Sequence, residues 1–371
     1  MKSLYKLFSV AILYLLLNNT NVFAQGCVAI RSTGGVTTMD EHPDSLTKNG
    51  QWLFNSNSRY YKSFRHFVGK QEQFYRIDSL HNNVINKVVT QDFSLTRIFN
   101  DRWSMAVNIP FADNSRSQVL KATATAGATR FSTHSFGVGD INISGYYWLF
   151  DPKKATRGNI QIGLGVKFAT GNYGVQDYFL TNATTGEKTL KYVDQSIQLG
   201  DGGTGITTEI NAFYDFTNKF GLYGNFYYLA NPQDVSIPKS AAGTAATTSI
   251  SASETSDVFS VPDQFLVRFG ASLNVKKFNF SFGFRDDCLP VHDLFGKSDG
   301  FRRPGYILAT EPGVTYRFKN ISIYGFVPIA VIRDRTQSVP DLRETAATGV
   351  VSHGDAAFAD YVVNIGLTVK F

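Results

Sequence analysis

The feature that most constrains this chain is an alternation of apolar and polar residues that recurs along almost all of it. In residues 159–168, NIQIGLGVKF, every second residue is apolar, and residues 103–111, WSMAVNIPF, repeat the pattern. A β-strand with one apolar and one polar face has this period. About twelve such segments follow one another, each longer than an average soluble strand of roughly five or six residues and long enough for a tilted membrane strand.

The connections between these segments alternate in length. Short ones follow the even-numbered strands, at 97–101, 151–158, 217–221, 276–277 and 319–320. Long polar ones follow the odd-numbered strands, at 63–83, 113–134, 171–203, 232–262, 291–303 and 334–357. Bacterial outer-membrane barrels show this rhythm, with short periplasmic turns and long extracellular loops. We therefore predict an all-β fold: a transmembrane antiparallel β-barrel of about 12 strands over residues 50–371, closed by pairing of the first and last strands.

The composition indicates which strand face meets which environment. Aromatic residues make up 14% of the chain and include 31 Phe, whereas charged residues are only 18%. A soluble β-sandwich also alternates, but it packs its apolar faces into a core and has no regular rhythm of turn lengths. We expect the apolar face to contact outer-membrane lipids and the polar face to line a lumen.

The N-terminus has the three parts of a secretory signal peptide: basic Lys2 and Lys6, an apolar stretch at 7–17 and a polar end. We expect residues 1–24 to be removed by cleavage after Ala24, and the mature protein to reach the bacterial outer membrane. Residues 25–49 lack strand-like alternation and either plug the lumen, lie in the periplasm or are disordered. A net charge of +6 gives no support for a nucleic-acid partner.

Charged residues on the polar strand faces are the candidate lumen-lining residues. They are Lys167, Glu209, Arg268, Arg285, Glu311 and Arg317. In a narrow barrel such charges either pair into an internal ladder that stiffens the wall, or form a constriction that selects solutes by charge. In the second case the three arginines oppose the two glutamates.

Other reactive residues give little support for an enzyme. Cys27 and Cys288 are the two cysteines, and they either form a disulfide or remain separate thiols. Ser132 and His134 share one strand face, but no third residue in the sequence is placed to orient the histidine. The spacing of the six histidines predicts no metal site, and we expect no cofactor and no catalytic residue. In loop 291–303, Arg302 and Arg303 either brace the barrel mouth or contact anionic lipid.

Several segments resemble a known family. Residues 159–174, NIQIGLGVKFATGNYG, 261–270, VPDQFLVRFG, and 290–318, which begin PVHDLFGKSDGFRRPG, are similar to the MetA-type family of outer-membrane proteins associated with the phenol meta-degradation pathway. The resemblance covers about residues 50–371 and implies a barrel that admits small hydrophobic or aromatic molecules. The last strand also resembles the C-terminal signal that the barrel-assembly machinery binds, which implies roles for Tyr361, Leu367, Val369 and Phe371.

Two functions follow as hypotheses. The first is a passive outer-membrane channel for small, apolar or aromatic solutes. The alternative is a closed structural or interaction barrel whose extracellular loops bind a partner, for which the two longest loops are the natural surface.

Overall fold

A computed structural model describes residues 50–120, 129–239 and 257–371, and there the chain forms a closed antiparallel β-barrel of twelve strands. We number these strands as spans 1 to 12. The spans are Trp52–Val68, Ile85–Ile98, Trp103–Val119, Arg130–Val138 with Asn142–Trp148, Gly158–Lys167, Gly205–Asp215, Phe220–Ala230, Gln264–Val275, Phe278–Leu289, Gly305–Phe318, Ile321–Phe326 with Ile329–Asp334, and Ala356–Lys370. The predicted fold class and strand number are confirmed.

The barrel closes through the two ends of the chain's described part. Span 1 pairs antiparallel with span 12, from Leu53 opposite Lys370 to Phe67 opposite Ala356. At the end of this seam the Phe371 N–H donates to the Trp52 carbonyl at 3.0 Å, and the Trp52 N–H donates back at 2.8 Å. The terminal strand therefore leaves no open edge at this position.

Two spans are interrupted, although the sequence pattern predicts continuous strands there. Span 4 contains a bulge, because Gly139, Asp140 and Ile141 lie opposite only two residues of span 3, one of which is Pro110. Span 11 breaks at 327–328, where Pro328 has no N–H for the ladder. The expectation of continuous strands is wrong at both places, and the first interruption lies beside the cavity described below.

The connections keep the predicted rhythm and define two ends of the barrel, which we call the turn end and the loop end. At the turn end, two connections are only two residues long, and Lys276 and Lys319 take left-handed backbone φ values of 57° and 51°. At the loop end lie loop 1 (69–84), loop 2 (120–129), loop 3 (168–204), loop 4 (231–263), loop 5 (290–304) and loop 6 (335–355). Loops 1 and 2 are shorter than predicted because spans 1, 3 and 4 extend past their expected ends.

The long loops contain secondary structure that the sequence analysis does not predict. It comprises the strands Gln71–Glu72, Gln176–Leu180, Lys188–Tyr192, Val235–Lys239 and Val258–Ser260, the short helix Tyr75–Asp78, the 3-10 turn Gln195–Ile197 and the helix Val339–Thr348. Ser338 and Asp341 cap the last helix reciprocally. No helix in the described ranges has the length and apolarity needed to cross a membrane.

The two faces of the wall differ as the alternation predicts. Apolar side chains such as Leu164 and Phe282 are 63% and 55% exposed on the outer face. Polar side chains on the inner face are buried instead, and Gln161, Asn211 and Glu311 are each only 2% exposed. Because interior residues are this inaccessible, side chains fill the barrel at their level.

Candidate functional site

A cavity of about 100 Å³ lies inside the loop end of the barrel. Its wall side is formed by spans 3, 4, 5, 7, 8 and 9, and its roof by loops 3 and 4. The wall residues are Pro110, Asp140, Asn142, Lys167, Tyr227, Leu229, Gln264 and Leu289, and the roof residues are Tyr173, Gln195, Gln198, Gly200, Asp201, Ser236, Phe259, Ser260 and Pro262. The cavity exists because loop 3 and the described ends of loop 4 fold inward over the mouth.

Loop 3 is the larger part of this roof. Val193 and Ile197 are fully buried, and Leu199 is nearly so. The Ile197 carbonyl accepts a hydrogen bond from the Ser135 hydroxyl and one at 3.4 Å from Asn114 Nδ2, both on the barrel wall. Apolar anchors and wall hydrogen bonds together hold the segment 193–199 inside the barrel.

Ion pairs add to this attachment. Asp194 Oδ2 lies 2.7 Å from Arg303 Nη2 of loop 5 and 3.3 Å from Arg116 Nη2 of span 3. Burial by itself raises the pKa of Asp194, but the two guanidinium groups outweigh it and bring the pKa well below its ordinary value. Asp194 is thus a carboxylate that joins two loops and the wall.

Loop 5 is also fixed by an ion pair of its own and by contacts that reach loop 4 and span 7. Arg302 Nη1 donates to Asp293 Oδ1 at 2.8 Å, with both side chains almost fully inaccessible. Asp263 of loop 4 accepts from the Tyr228 hydroxyl at 2.7 Å and from the Leu294 N–H at 2.8 Å. Arg302 and Arg303 therefore both brace the barrel mouth. This confirms the first of the two roles considered for them.

The cavity has a polar side on span 5 and loop 3. Lys167 Nζ donates to both carboxylate oxygens of Asp201 and lies 3.6 Å from Asp140 Oδ2. Asp140 also accepts from the Gly171 N–H at 2.9 Å and the Asp201 N–H at 3.2 Å. Two carboxylates surround one ammonium group here, so this side carries a net negative charge.

The opposite side of the cavity is apolar. Tyr227, Leu229 and Leu266 form a buried cluster on spans 7 and 8. Phe259 of loop 4 is 2% exposed and lines the same cavity. A small molecule in the cavity therefore meets hydrocarbon on one side and hydrogen-bonding groups on the other.

Toward the turn end, three of the predicted residues meet in one cluster. Glu311 Oε1 accepts from Arg268 Nε at 2.8 Å, and its Oε2 lies 3.6 Å from Arg285 Nη1. Arg285 Nε also donates to Asp287 Oδ2 at 2.7 Å, and the Arg268 guanidinium lies 5.0 Å from the centre of the Phe326 ring. The structure places these charges on adjacent spans and pairs them, which is the ladder arrangement.

The remaining predicted residues lie apart from that cluster. Lys167 is at the cavity, and Glu209 is on span 6 beside Tyr146 and Asn211. Arg317 is half-buried near the turn end, with Nη1 3.3 Å from Asn274 Oδ1. The arginines and glutamates considered as opposing sides of a constriction are therefore not brought together as one ring.

Other predicted residues have separate locations. Cys288 is buried on span 9, whereas its suggested partner Cys27 and the signal peptide lie outside the described residues. His134 Nδ1 is 3.5 Å from Asp177 Oδ2, a neighbour that the sequence analysis missed, but His134 is 64% exposed and the structure gives it no hydrogen bond to Ser132. Within 50–120, 129–239 and 257–371, no group of three His, Cys, Asp or Glu side chains is arranged to bind a metal.

The residues proposed as an assembly signal all lie on or after span 12. Tyr361 and Phe371 are 51% and 62% exposed on the outer face, and Leu367 shares that parity. Val369 is opposite Phe54 of span 1 and Ile321 of span 11. Their recognition by assembly machinery stays a prediction.

Comparison with solved structures agrees with this fold. An outer membrane channel from Pseudomonas putida F1 superposes with a TM-score of 0.54 at 9% identity, covering 90% of this chain and 100% of that one. The Pseudomonas putida toluene transporter TodX (TM-score 0.43, 8% identity) and a Pseudomonas aeruginosa FadL homologue (0.42, 9%) each cover 94% of this chain and 96% of their own. The first likeness shows the fold, and the two lower scores carry no further argument. No protein-family model and no curated protein matches the chain.

Proposed function

We propose that the protein is a channel of the bacterial outer membrane that lets small apolar or aromatic molecules diffuse passively through it. The observation that carries this proposal is the two-sided cavity between the inward-folded loops and the barrel wall. Pockets of this composition bind small molecules by apolar contact and orient them with a few polar groups. The Pseudomonas putida F1 structure of the same fold is an outer membrane channel, which supports the proposal.

The size of the cavity suits one small ring after a modest adjustment. Its volume of about 100 Å³ is below the roughly 150 Å³ of an engineered protein cavity that binds benzene. A benzene-sized solute therefore requires loop 3 or loop 4 to move slightly outward. Toward the turn end, Asn225 Oδ1 and Arg268 Nη1 are buried without a hydrogen-bond partner, so they can bind water or a polar part of a passing solute.

Transport is best tested in vesicles with a lipopolysaccharide outer leaflet, because a plain phospholipid bilayer passes small aromatics unaided. Purified protein should accelerate toluene uptake relative to empty vesicles, and should give a small ion conductance in planar bilayers. Absence of both effects from a correctly folded barrel would contradict the proposal.

A closed barrel that works through its loops is a second candidate, favoured by the filled interior. Gln161, Asn211 and Asn225 form a hydrogen-bonded row across spans 5 to 7, with donor–acceptor distances of 3.2 and 2.7 Å. All three are 3% exposed or less. If this function is correct, the protein gives no uptake and instead co-purifies with a stoichiometric partner that is lost when residues 238–257 are deleted.

A further inference from the structure

A carboxylate without a cation, Glu209, lies opposite Tyr227 in the strand pairing, and Tyr227 lines the cavity. Glu209 is 4% exposed, and its Oε2 has no hydrogen-bond partner. No lysine, arginine or histidine of the described chain forms an ion pair with it, whereas Glu311 and Asp194 are each paired with two arginines. A buried carboxylate that lacks a counter-ion is unfavourable unless a ligand or a proton neutralises it.

Two aromatic rings flank this carboxylate. In the strand register, Tyr146, Gly163, Glu209 and Tyr227 lie opposite one another across spans 4 to 7. A Cβ atom on Gly163 would come within 2.6 Å of the Tyr146 ring and 3.1 Å of the Glu209 Cβ. Because Gly163 has no side chain, the tyrosine ring and the glutamate lie side by side over it.

Tyr227 connects this group to the cavity. It lines the cavity directly, as does Asp201 of the roof, and it lies opposite Glu209 in the strand pairing. The same cavity is lined by two carboxylates, Asp140 and Asp201, which both lie beside the ammonium group of Lys167. The local charges sum to about −2 when Glu209 is ionised, which favours a cationic ligand and disfavours an anionic one.

We propose that Glu209, Tyr146 and Tyr227 form a binding site for the ammonium group of a small organic amine. The inference deepens the proposed function and rests on it: the ring or chain of the amine occupies the apolar side of the cavity beside Leu229, and its ammonium group lies at Glu209. A carboxylate supplies the charge, and tyrosine faces within about 6 Å add cation–π attraction. The substrate class is then small aromatic or alkyl amines.

The test compares two ligands of almost equal shape, benzylamine and benzyl alcohol, by calorimetry on the full chain in detergent, with empty micelles subtracted. At pH 7 an alkylamine is protonated, whereas the alcohol is neutral. The wild-type protein should bind benzylamine at least about tenfold more tightly than benzyl alcohol. This comparison needs no variant, so it does not depend on whether a substitution folds.

Variants then locate the preference. Glu209→Gln should lower the affinity for benzylamine to that for benzyl alcohol and leave the alcohol unchanged. Glu187→Gln removes an exposed carboxylate on loop 3 and should change neither affinity. Equal binding of both ligands to the wild type, or an amine preference that survives in folded Glu209→Gln, overturns the inference. If toluene and benzyl alcohol neither bind nor permeate, the proposed function itself fails.

Discussion

Arg303 and Asp194 are 109 residues apart in the sequence, yet they form a bidentate ion pair with nitrogen–oxygen distances of 2.9 and 2.7 Å. The pair fixes loop 3 to loop 5 across the barrel mouth. Arg116 of span 3 attaches the same carboxylate to the wall. Through these contacts the roof of the cavity is held by charge as well as by the buried side chains of Val193 and Ile197.

Replacing Asp194 should release the roof. Asp194→Asn removes the carboxylate that pairs with Arg116 and Arg303, and loss of one partner of a buried pair typically costs about 3–5 kcal/mol. Hydrogen exchange of residues 193–199 should accelerate, and bilayer conductance should rise. The matched control is Asp101→Asn, which removes an exposed pair with Lys153 at the turn end and should leave exchange, conductance and stability almost unchanged. Unchanged exchange in Asp194→Asn would show that the apolar anchors suffice.

The loop end should lose stability in acid. Burial opposes ionisation of Asp194 and Asp355, yet the arginines beside the first and the His66 hydrogen bond to the second leave both pKa values below the ordinary value. As the pH falls, these two carboxylates are protonated in the unfolded chain at a higher pH than in the folded chain. The stabilisation is therefore complete above about pH 4 and is lost as the pH falls below the ordinary aspartate pKa. Asp263, whose pKa burial raises, acts in the opposite sense.

Thermal unfolding measured between pH 7 and pH 2.5 tests this expectation. The wild-type midpoint should fall steeply below about pH 4, and Asp194→Asn should show a shallower fall from a lower starting value. A midpoint independent of pH in this range would mean that these carboxylates do not control the loop end.

The Glu311 cluster predicts a reversal between single and double variants. Glu311→Gln removes the carboxylate that Arg268 and Arg285 share, while Asp287 still pairs with Arg285; it should destabilise the barrel by about 3–5 kcal/mol. The double variant Arg268→Met with Glu311→Leu removes charge from both sides and should be the more stable of the two. The measurement is the temperature at which the fast-migrating folded band disappears from SDS gels of unboiled samples. A double variant that unfolds at a lower temperature than Glu311→Gln would contradict this account.

Removal of Phe371 should impair insertion. Its backbone exchanges two hydrogen bonds with Trp52 at the barrel seam, and its exposed ring is the terminal aromatic of the proposed assembly signal. The amount of heat-modifiable protein in the outer-membrane fraction should fall severalfold, whereas Phe371→Tyr, which keeps the aromatic ring, should retain it. Normal levels of the truncated protein would exclude the assembly role.

The barrel wall could be predicted from the sequence because its cause is local. Alternation with period two determines which side chains face lipid, and short turns impose antiparallel neighbours. The interruptions of spans 4 and 11 were not predicted, because local backbone chemistry there competes with the alternation. At Pro328, for example, the flanking residues still alternate. The predicted loop bounds at 63–83 and 113–134 were too long because Ser, Asn and Arg residues on the inner face of spans 1 and 3 look like loop composition.

The candidate site was much less predictable because it depends on contacts between distant loops. Lys167 and Glu209 are found by strand parity alone. Asp194 and Asp201 lie in a polar segment with no periodic signal, and nothing local shows that this segment folds into the barrel. The one sequence feature that indicates this inward folding is the spacing of Val193 and Ile197, which lie four residues apart in that segment and are buried.

Uptake of toluene into vesicles with a lipopolysaccharide outer leaflet tests the central claim most directly when it compares two variants. Leu229→Trp fills the cavity from span 7, where Leu229 is 2% exposed, whereas Leu273→Trp makes the same change at a lipid-facing leucine that is 44% exposed. We predict that wild type and Leu273→Trp accelerate uptake equally and that Leu229→Trp, folded to the same extent, gives only the rate of empty vesicles. Equal uptake by all three proteins would contradict passage through the cavity.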